Sequence, residues 1–390
     1  MKKKIGIICY KSISGGIIVI LEYALRMAIR SNFDVYLIIK DPFTDEDFNW
    51  FHNADKIMKL SYTQAQDMEF DAVLASLWLT CYDLHLFDAK SYIYFNQSVE
   101  SKFFDKDKKN KINYAEATYL LGLNIITEAT WIRNYIKEFY GKDALLVRNG
   151  INKSKFQLTG SCLSPRDKNK LRVLVEGPLE IGFKNVRKAI EICEKSDADE
   201  IWLLTSSSVD SVSGVDKVFS RIPTDKVQEI YRSCDVIVKL STIEGMFGPP
   251  LEMFHCGGTA ISYMVSGYDE YMKGEWNSLV APLGDDVMIL SHINQLARNK
   301  VELQRLKENA IKTAAQWPDF DEQVVLFESA ILQSIKNPNT TRSILANKIR
   351  ILSDWYSTIE QQEQEIVNIS AYKGYQIHNK LRTIFKRKYH

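Results

Sequence analysis

The stretch Ser241-Thr-Ile-Glu-Gly-Met-Phe-Gly-Pro-Pro-Leu-Glu-Met-Phe-His-Cys-Gly-Gly258 decides how the chain is read. Before it, Asp235-Val-Ile-Val-Lys-Leu240 is a short apolar run of the kind that forms a parallel strand buried on both faces. Gly245 and Gly248 let the chain turn tightly and bring its amides close to a ligand. Pro249 and Pro250 suit the first turn of a helix, expected to begin near Leu251 and to end before Gly257 and Gly258. Loop N–H groups at the positive end of a helix make a site for an anion such as a phosphate. Glu244 stands before the loop and Glu252 in the helix. Each would repel a phosphate, but a carboxylate accepts two hydrogen bonds from a vicinal diol. One can hold a sugar and the other a ribose, with a diphosphate between them.

At 390 residues the chain is too long for one typical core and suits two domains, each of about 150 to 200 residues. Its 45% apolar and 25% charged content is ordinary for a globular protein. A net charge of +1 gives no global field that would favour nucleic acid. Six cysteines (Cys9, Cys81, Cys162, Cys193, Cys234, Cys256) are scattered with no C-x-x-C pair, which argues for reduced thiols in a cytosol and against a zinc site. The apolar run at the basic N-terminus is soon interrupted by Lys11, Ser12 and Ser14, so no cleavable signal is expected. No uninterrupted apolar stretch reaches about 18 residues, so no membrane span is expected.

Lys4 to Tyr10 reads as a buried strand, Lys11 to Gly16 as the turn after it, and Ile17 to Ile29 as a helix. That is how a doubly wound α/β domain opens, and such domains bind ligands beyond the carboxyl ends of their strands. Val35 to Ile39 supplies a second strand followed by Asp41, but the G-x-G-x-x-G fingerprint of a nicotinamide site is absent. Further strands are expected at 72–75, 91–95 and 123–126, and the polar loop Asn96-Gln-Ser-Val-Glu100 leaves the second of these. Lys102 to Lys111 sets five lysines against two aspartates, either a solvated loop or a basic lip for an anionic membrane or a lipid diphosphate. After a polar linker at 161–170, Leu171 to Gly177 restarts the pattern with a strand and a glycine, and Lys184 precedes a helix over 185–194. A strand at 201–204 is followed by the hydroxyls of Thr205 to Ser208. Helices are expected at 287–298, 301–316 and 320–335, then a largely helical tail. From Lys373 to His390 that tail holds six Lys or Arg and no acids, with Tyr375, Ile377, Leu381, Ile384, Phe385 and Tyr389 interleaved. Such an end suits a membrane surface, a partner helix or a frayed terminus.

The Glu244-x7-Glu252 spacing, in this setting, resembles the retaining glycosyltransferases of family 4 with the GT-B fold, whose hallmark is a Glu, seven residues, then a Glu. The resemblance implies two Rossmann-like domains facing across a cleft. Residues 1–165 would form the acceptor side, 166–336 would bind the nucleotide sugar with the last helix packing back on the first domain, and 337–390 would be a helical basic tail. It implies that Glu244, Gly245, Met246, Phe247 and Gly248 contact the donor, Glu252 its ribose, and Lys184 its diphosphate. Gly15 and Gly16 match the first glycine loop of the family, which approaches the donor phosphates or the acceptor. Tyr94 to Glu100, Tyr114 to Tyr119 and Trp131 to Tyr135 look like the rhamnosyltransferase-type branch, where Gln-x-x-Glu follows this strand. Gln97 and Glu100 are therefore the acceptor-side candidates. Two departures stand out: Pro178 occupies the place of an expected Arg, and none of the six histidines lies in the cleft loop.

On this resemblance the expected activity is retaining transfer of a sugar from a nucleotide-diphosphate donor to a glycan, carried on a lipid as polysaccharide is built. Glu244 and Lys184 are the catalytic candidates. No metal and no cofactor are expected, because lysine and backbone dipoles can take the metal's place. The protein is expected in the cytoplasm, peripheral on the inner face of the cell membrane. A non-catalytic GT-B-like scaffold of a glycan-assembly complex, or a nicotinamide-dependent oxidoreductase, are the alternatives.

Overall fold

The computed structural model describes residues 2–388, with side chains described as far as residue 365. Two parallel sheets organise it. The first contains β1 (Lys3–Cys9), β2 (Phe33–Ile39), β3 (Met58–Ser61), β4 (Glu69–Ala75), β5 (Asp88–Asn96), β6 (Asn124–Thr127) and β7 (Leu145–Leu146), in the order β3-β2-β1-β4-β5-β6-β7. The second contains β8 (Arg172–Glu176), β9 (Glu200–Thr205), β10 (Lys217–Ser220), β11 (Val236–Lys239), β12 (Thr259–Tyr263) and β13 (Leu279–Ala281), in the order β10-β9-β8-β11-β12-β13. Every pairing is parallel. In each sheet the chain winds outward from a central strand, then returns to that strand's other side. The reversal opens a crevice beyond the carboxyl ends of β1 and β4, and of β8 and β11.

The central strands are apolar because both of their faces are covered. In each domain the buried residues fall into two clusters, one on either side of the sheet. The helix Phe320–Lys336 follows the second domain in sequence but buries Phe320, Val324, Phe327, Ala330 and Ile331 in the core of the first. Phe327 stacks on Tyr23 with ring centroids 4.3 Å apart, and the capping box of Asp319 and Glu322 starts the helix. One backbone segment therefore bridges the domains.

The lysine-rich stretch turns helical at Lys109, as Lys109–Ala117. The helix Arg342–Lys388 packs against it, with the Tyr114 and Tyr356 rings stacked 4.2 Å apart and the Tyr114 and Ser353 hydroxyls 3.0 Å apart. The amphipathic basic face expected over Lys373 to His390 lies outside the described side chains. The helix expected near Leu251 starts earlier, at Gly248, because prolines are tolerated in a first turn whose N–H groups have no helical partner. Among the described residues no helix is long and apolar enough to cross a membrane.

Candidate functional site

The second sheet's crevice is built by two corners, one after β8 and one after β11. Asn185 donates from Nδ2 to the Leu240 carbonyl at 3.0 Å, and the Thr242 N–H donates to the Phe183 carbonyl at 2.8 Å. These bonds clamp the Gly182–Asn185 turn, which carries Lys184, to the loop that carries Glu244. The Lys184 ammonium donates to both Glu244 oxygens at 2.8 Å. Glu244 is only 8% exposed, and its backbone is fixed on both sides by the Ser266 hydroxyl. Burial pushes its carboxyl up, but Lys184 and Lys239 outweigh that and hold it below the usual carboxylate range.

Lys239, the last residue of β11, is a buried lysine in an otherwise apolar strand. Its ammonium pairs with the carboxylate of Glu176, the last residue of β8. Burial pulls that ammonium down, yet Glu176 and Glu244 leave it above its ordinary value, so it stays charged. Glu252 sits one turn into the helix Gly248–His255, beside Tyr231. Burial pushes its carboxyl up to about 7 against the opposing Lys155. The first turn of that helix lies in the chain between Glu244 and Glu252, and Lys184 approaches through its contact with Glu244.

The loop of the second domain lies directly against the first. A Cβ on Gly245 would stand 1.8 Å from the Gln97 carbonyl oxygen and 2.6 Å from Glu128 Oε1, so only glycine fits there. The Met246 N–H donates to Glu128 Oε1 at 2.9 Å, while Asn149 Nδ2 donates to Oε2 at 2.6 Å. Glu128 is 5% exposed, and burial pushes its carboxyl up to about 8. Trp131 donates from Nε1 to the Gly245 carbonyl at 2.9 Å. Glu270 accepts from the Thr130 N–H, from Thr130 Oγ1 at 3.1 Å and from Arg148 Nε at 2.8 Å. It thereby caps the helix Thr130–Tyr140, whose own capping residue, Ala129, has no side-chain acceptor. The Phe103 and Phe183 rings stack across the same cleft, 4.7 Å apart and 4° from parallel.

The remaining sequence candidates divide. Gly15 and Gly16 begin the helix Gly15–Arg30, where Gly15 faces open space and a Cβ on Gly16 would lie 3.3 Å from Gln97 Oε1. Gln97 donates from Nε2 to the Ser76 carbonyl at 3.3 Å, while its Oε1 is buried without a partner. Gln97 thus joins the two glycine corners across the cleft. Glu100 points inward: it is 5% exposed and accepts from the Trp78 N–H and, at 2.9 Å, from the Tyr94 hydroxyl. Its carboxylate braces the loop and does not face the cleft. Phe247 is fully buried in the core, which leaves only its backbone for a ligand, and Gly248 faces open space. In the Thr205 to Ser208 run, Ser207 is turned away, accepting from the Leu179 N–H at 2.8 Å and donating to Glu180. Among the described residues no group of three or more His, Cys, Asp or Glu is arranged to hold a metal ion.

Glu128, Lys239 and Glu270 were missed as site residues. Lys239 had a readable signal, a charge inside an apolar strand. Glu128 follows β6 as Gln97 follows β5, at the rim of the crevice, but nothing local distinguishes it from a surface acid.

Two doubly wound domains facing across a cleft, with a helix crossing back to the first, define the GT-B fold. Solved structures with this fold superpose along most of the chain. Sucrose-phosphate synthase of Thermosynechococcus elongatus aligns with a TM-score of 0.69 and 13% identity, over 85% of this chain and 99% of that one. Anabaena HepE, in complex with UDP and glucose, aligns at 0.68 and 12%, over 85% and 100%. WaaG, a glycosyltransferase of lipopolysaccharide biosynthesis, aligns at 0.62 and 13%, over 84% and 99%. At such identities the likeness is one of fold. Residues 215–313 match the family described as glycosyl transferases group 1, a span that includes Lys239, Glu244, Glu252 and Glu270. No curated protein sequence gives a significant match. The fold and the matched segment together support a glycosyltransferase of the GT-B superfamily.

Proposed function

We propose that the chain is a retaining, metal-independent glycosyltransferase of the family 4 type that moves a sugar from a nucleotide diphosphate to a glycan acceptor. One observation carries the reading: Glu244 and Glu252 flank the N-terminus of the helix Gly248–His255, and Lys184 reaches in from the neighbouring corner at 2.8 Å. In this reading the loop from Gly245 to Gly248 takes the diphosphate on the Gly245 and Phe247 amides together with the Lys184 ammonium, the Met246 N–H being held by Glu128 and the Gly248 N–H by the Met246 carbonyl. Glu244 holds the sugar and Glu252 the ribose. Preorganised positive groups stabilise the charge that builds on the leaving diphosphate as the sugar carbon becomes oxocarbenium-like. The bond from that carbon to the diphosphate breaks while the acceptor oxygen bonds to the same face. The acceptor proton passes to the leaving phosphate oxygen. Gln97, with an unmet acceptor atom in the cleft, faces the incoming hydroxyl, and Glu100 fixes the loop that carries it.

The acceptor is proposed to be a lipid-linked glycan at the cytoplasmic face of a membrane. Exposed Lys102, Lys106, Lys108, Lys109 and Lys111 lead into the helix Lys109–Ala117, whose Tyr114 packs on the helix Arg342–Lys388, and they support a docking surface for anionic lipid. Branch resemblance makes rhamnose the first donor sugar to try, with the sugar and base left to a panel of donors.

Release of nucleoside diphosphate from a panel of nucleotide sugars tests the assignment. One donor is expected to turn over with wild type and to lose at least about a hundredfold in rate with Glu244→Ala or Lys184→Ala. A wild type that binds no nucleotide sugar, matched by both variants, would leave a non-catalytic scaffold as the better reading.

A further inference from the structure

The ammonium of Lys239 is 3% exposed at the switch point of the second sheet. A lone charge there is costly, and it is tolerated because Nζ donates to the Glu176 carbonyl at 3.2 Å and to the Glu176 carboxylate. A Cβ built on Gly177, at φ +138°, would lie 3.7 Å from Lys239 Nζ and 3.9 Å from Lys184 Cβ. The two lysines therefore converge on one corner, one from the strand and one from the turn. Glu176, Glu244 and Glu252 face that corner from three different elements, with Lys155 and Tyr231 beside Glu252, and Glu128 and Tyr271 near Glu244.

Lys184 has two claims on it. With the corner empty it commits both contacts to Glu244. A diphosphate draws on the same ammonium, two of whose three N–H groups are already on Glu244, so reaching the phosphates weakens its hold there. Lys239, the other lysine whose charge bears on buried Glu244, is anchored on Glu176 at the same corner, 3.7 Å from a Cβ on Gly177, and so stays in place when Lys184 moves.

We infer that Lys239 is the fixed counter-ion of this corner, the positive charge that stays opposite Glu244 while Lys184 moves to the diphosphate. The inference rests on the donor reading proposed above. It makes Lys239 a positioning residue, since its ammonium lies beneath Gly177 and acts through Glu244. Without Lys239, a bound diphosphate leaves Glu244 buried beside like charge with no cation of its own. The carboxylate then takes up a proton as the ligand binds.

Calorimetric titration of the full chain with the adenosine, cytidine, guanosine, thymidine and uridine diphosphates identifies the ligand. Repeating it at about pH 7.5, where the diphosphate is fully ionised, in buffers of different ionisation heat counts the protons exchanged. Lys239→Met is expected to bind about 10- to 100-fold more weakly and to take up close to one proton more than wild type. Adding Glu244→Gln removes the extra uptake. Because stranding one partner of a buried pair can unfold a domain, Lys239→Met/Glu176→Gln is titrated in parallel and should show the same uptake. Wild-type affinity without extra uptake, in either folded variant, overturns the inference. Weaker binding without the uptake also overturns it, since a merely structural lysine would give that result. If wild type binds none of the five diphosphates, the donor reading itself fails and the inference falls with it.

Discussion

Replacing Gly245 by alanine puts a methyl group where the structure has none to give. The new carbon would lie 1.8 Å from the Gln97 carbonyl oxygen, a backbone atom of the opposite domain that cannot rotate away, and 2.6 Å from Glu128 Oε1. To reach an ordinary contact of 3.4 Å the loop must retreat by about 1.6 Å. A retreat of that size breaks the bond from Met246 N–H to Glu128 and strains the bond from Trp131 to the Gly245 carbonyl. Overpacking of this kind costs roughly 1 to 3 kcal/mol, which as a shift between closed and open cleft is about 5- to 150-fold. Because the clash is between domains, each domain should keep its own melting transition, while small-angle scattering shows a larger radius of gyration and donor turnover falls. Gly248→Ala is the matched control, since its Cβ meets nothing within 4 Å. It should leave the scattering unchanged and weaken only binding of the diphosphate that approaches the helix. A Gly245→Ala protein with wild-type scattering and wild-type turnover would refute the reasoning.

Glu128 makes stability depend on pH. Its folded carboxyl, raised from 4.5 to about 8, keeps its proton where the unfolded chain has lost it, so its contribution is full below about 4.5 and fades as pH rises towards 8, by at most about 1.4 kcal/mol per pH unit. Melting temperature should therefore fall less steeply with pH between 5 and 8 in Glu128→Gln than in wild type, and equal slopes would contradict this. The Phe103 and Phe183 stack should show a coupling of about 0.5 to 1.5 kcal/mol in a double-mutant cycle to alanine, read from interdomain proteolysis or turnover, and zero coupling would remove it as a latch. Cys162 is exposed while the other five cysteines are buried, so a thiol reagent should titrate one group in the native protein and six after unfolding.

The corner from β11 into the helix Gly248–His255 was legible because everything that makes it is local: an apolar run, two glycines, two prolines and two glutamates within one short segment. The strands at 58–61, 145–146, 217–220 and 279–281 were not, because edge strands of two to four residues are too short to show a period and take their pairing from neighbours, and the internal strand Thr259–Tyr263 was missed because Thr259 and Ser262 interrupt its apolar run. Gly245 and Gly248 look alike in sequence, yet one is pressed against the opposite domain and the other faces open space. Glu128 and Glu270 gain their roles from partners more than a hundred residues away, Met246 and Thr130, which no local pattern records. Glu100 was singled out for its place after a strand, but burial against Trp78 and Tyr94 decided where its carboxylate points.

The most direct test of the central assignment is a crystal structure of the chain with the nucleoside diphosphate that it binds most tightly. The account predicts phosphate density against the Gly245–Gly248 loop at the Gly245 and Phe247 N–H groups, with Lys184 Nζ moved off Glu244 onto a phosphate oxygen and the ribose hydroxyls on Glu252. Phosphate bound elsewhere, with the Lys184 and Glu244 pair still closed at 2.8 Å, would contradict it.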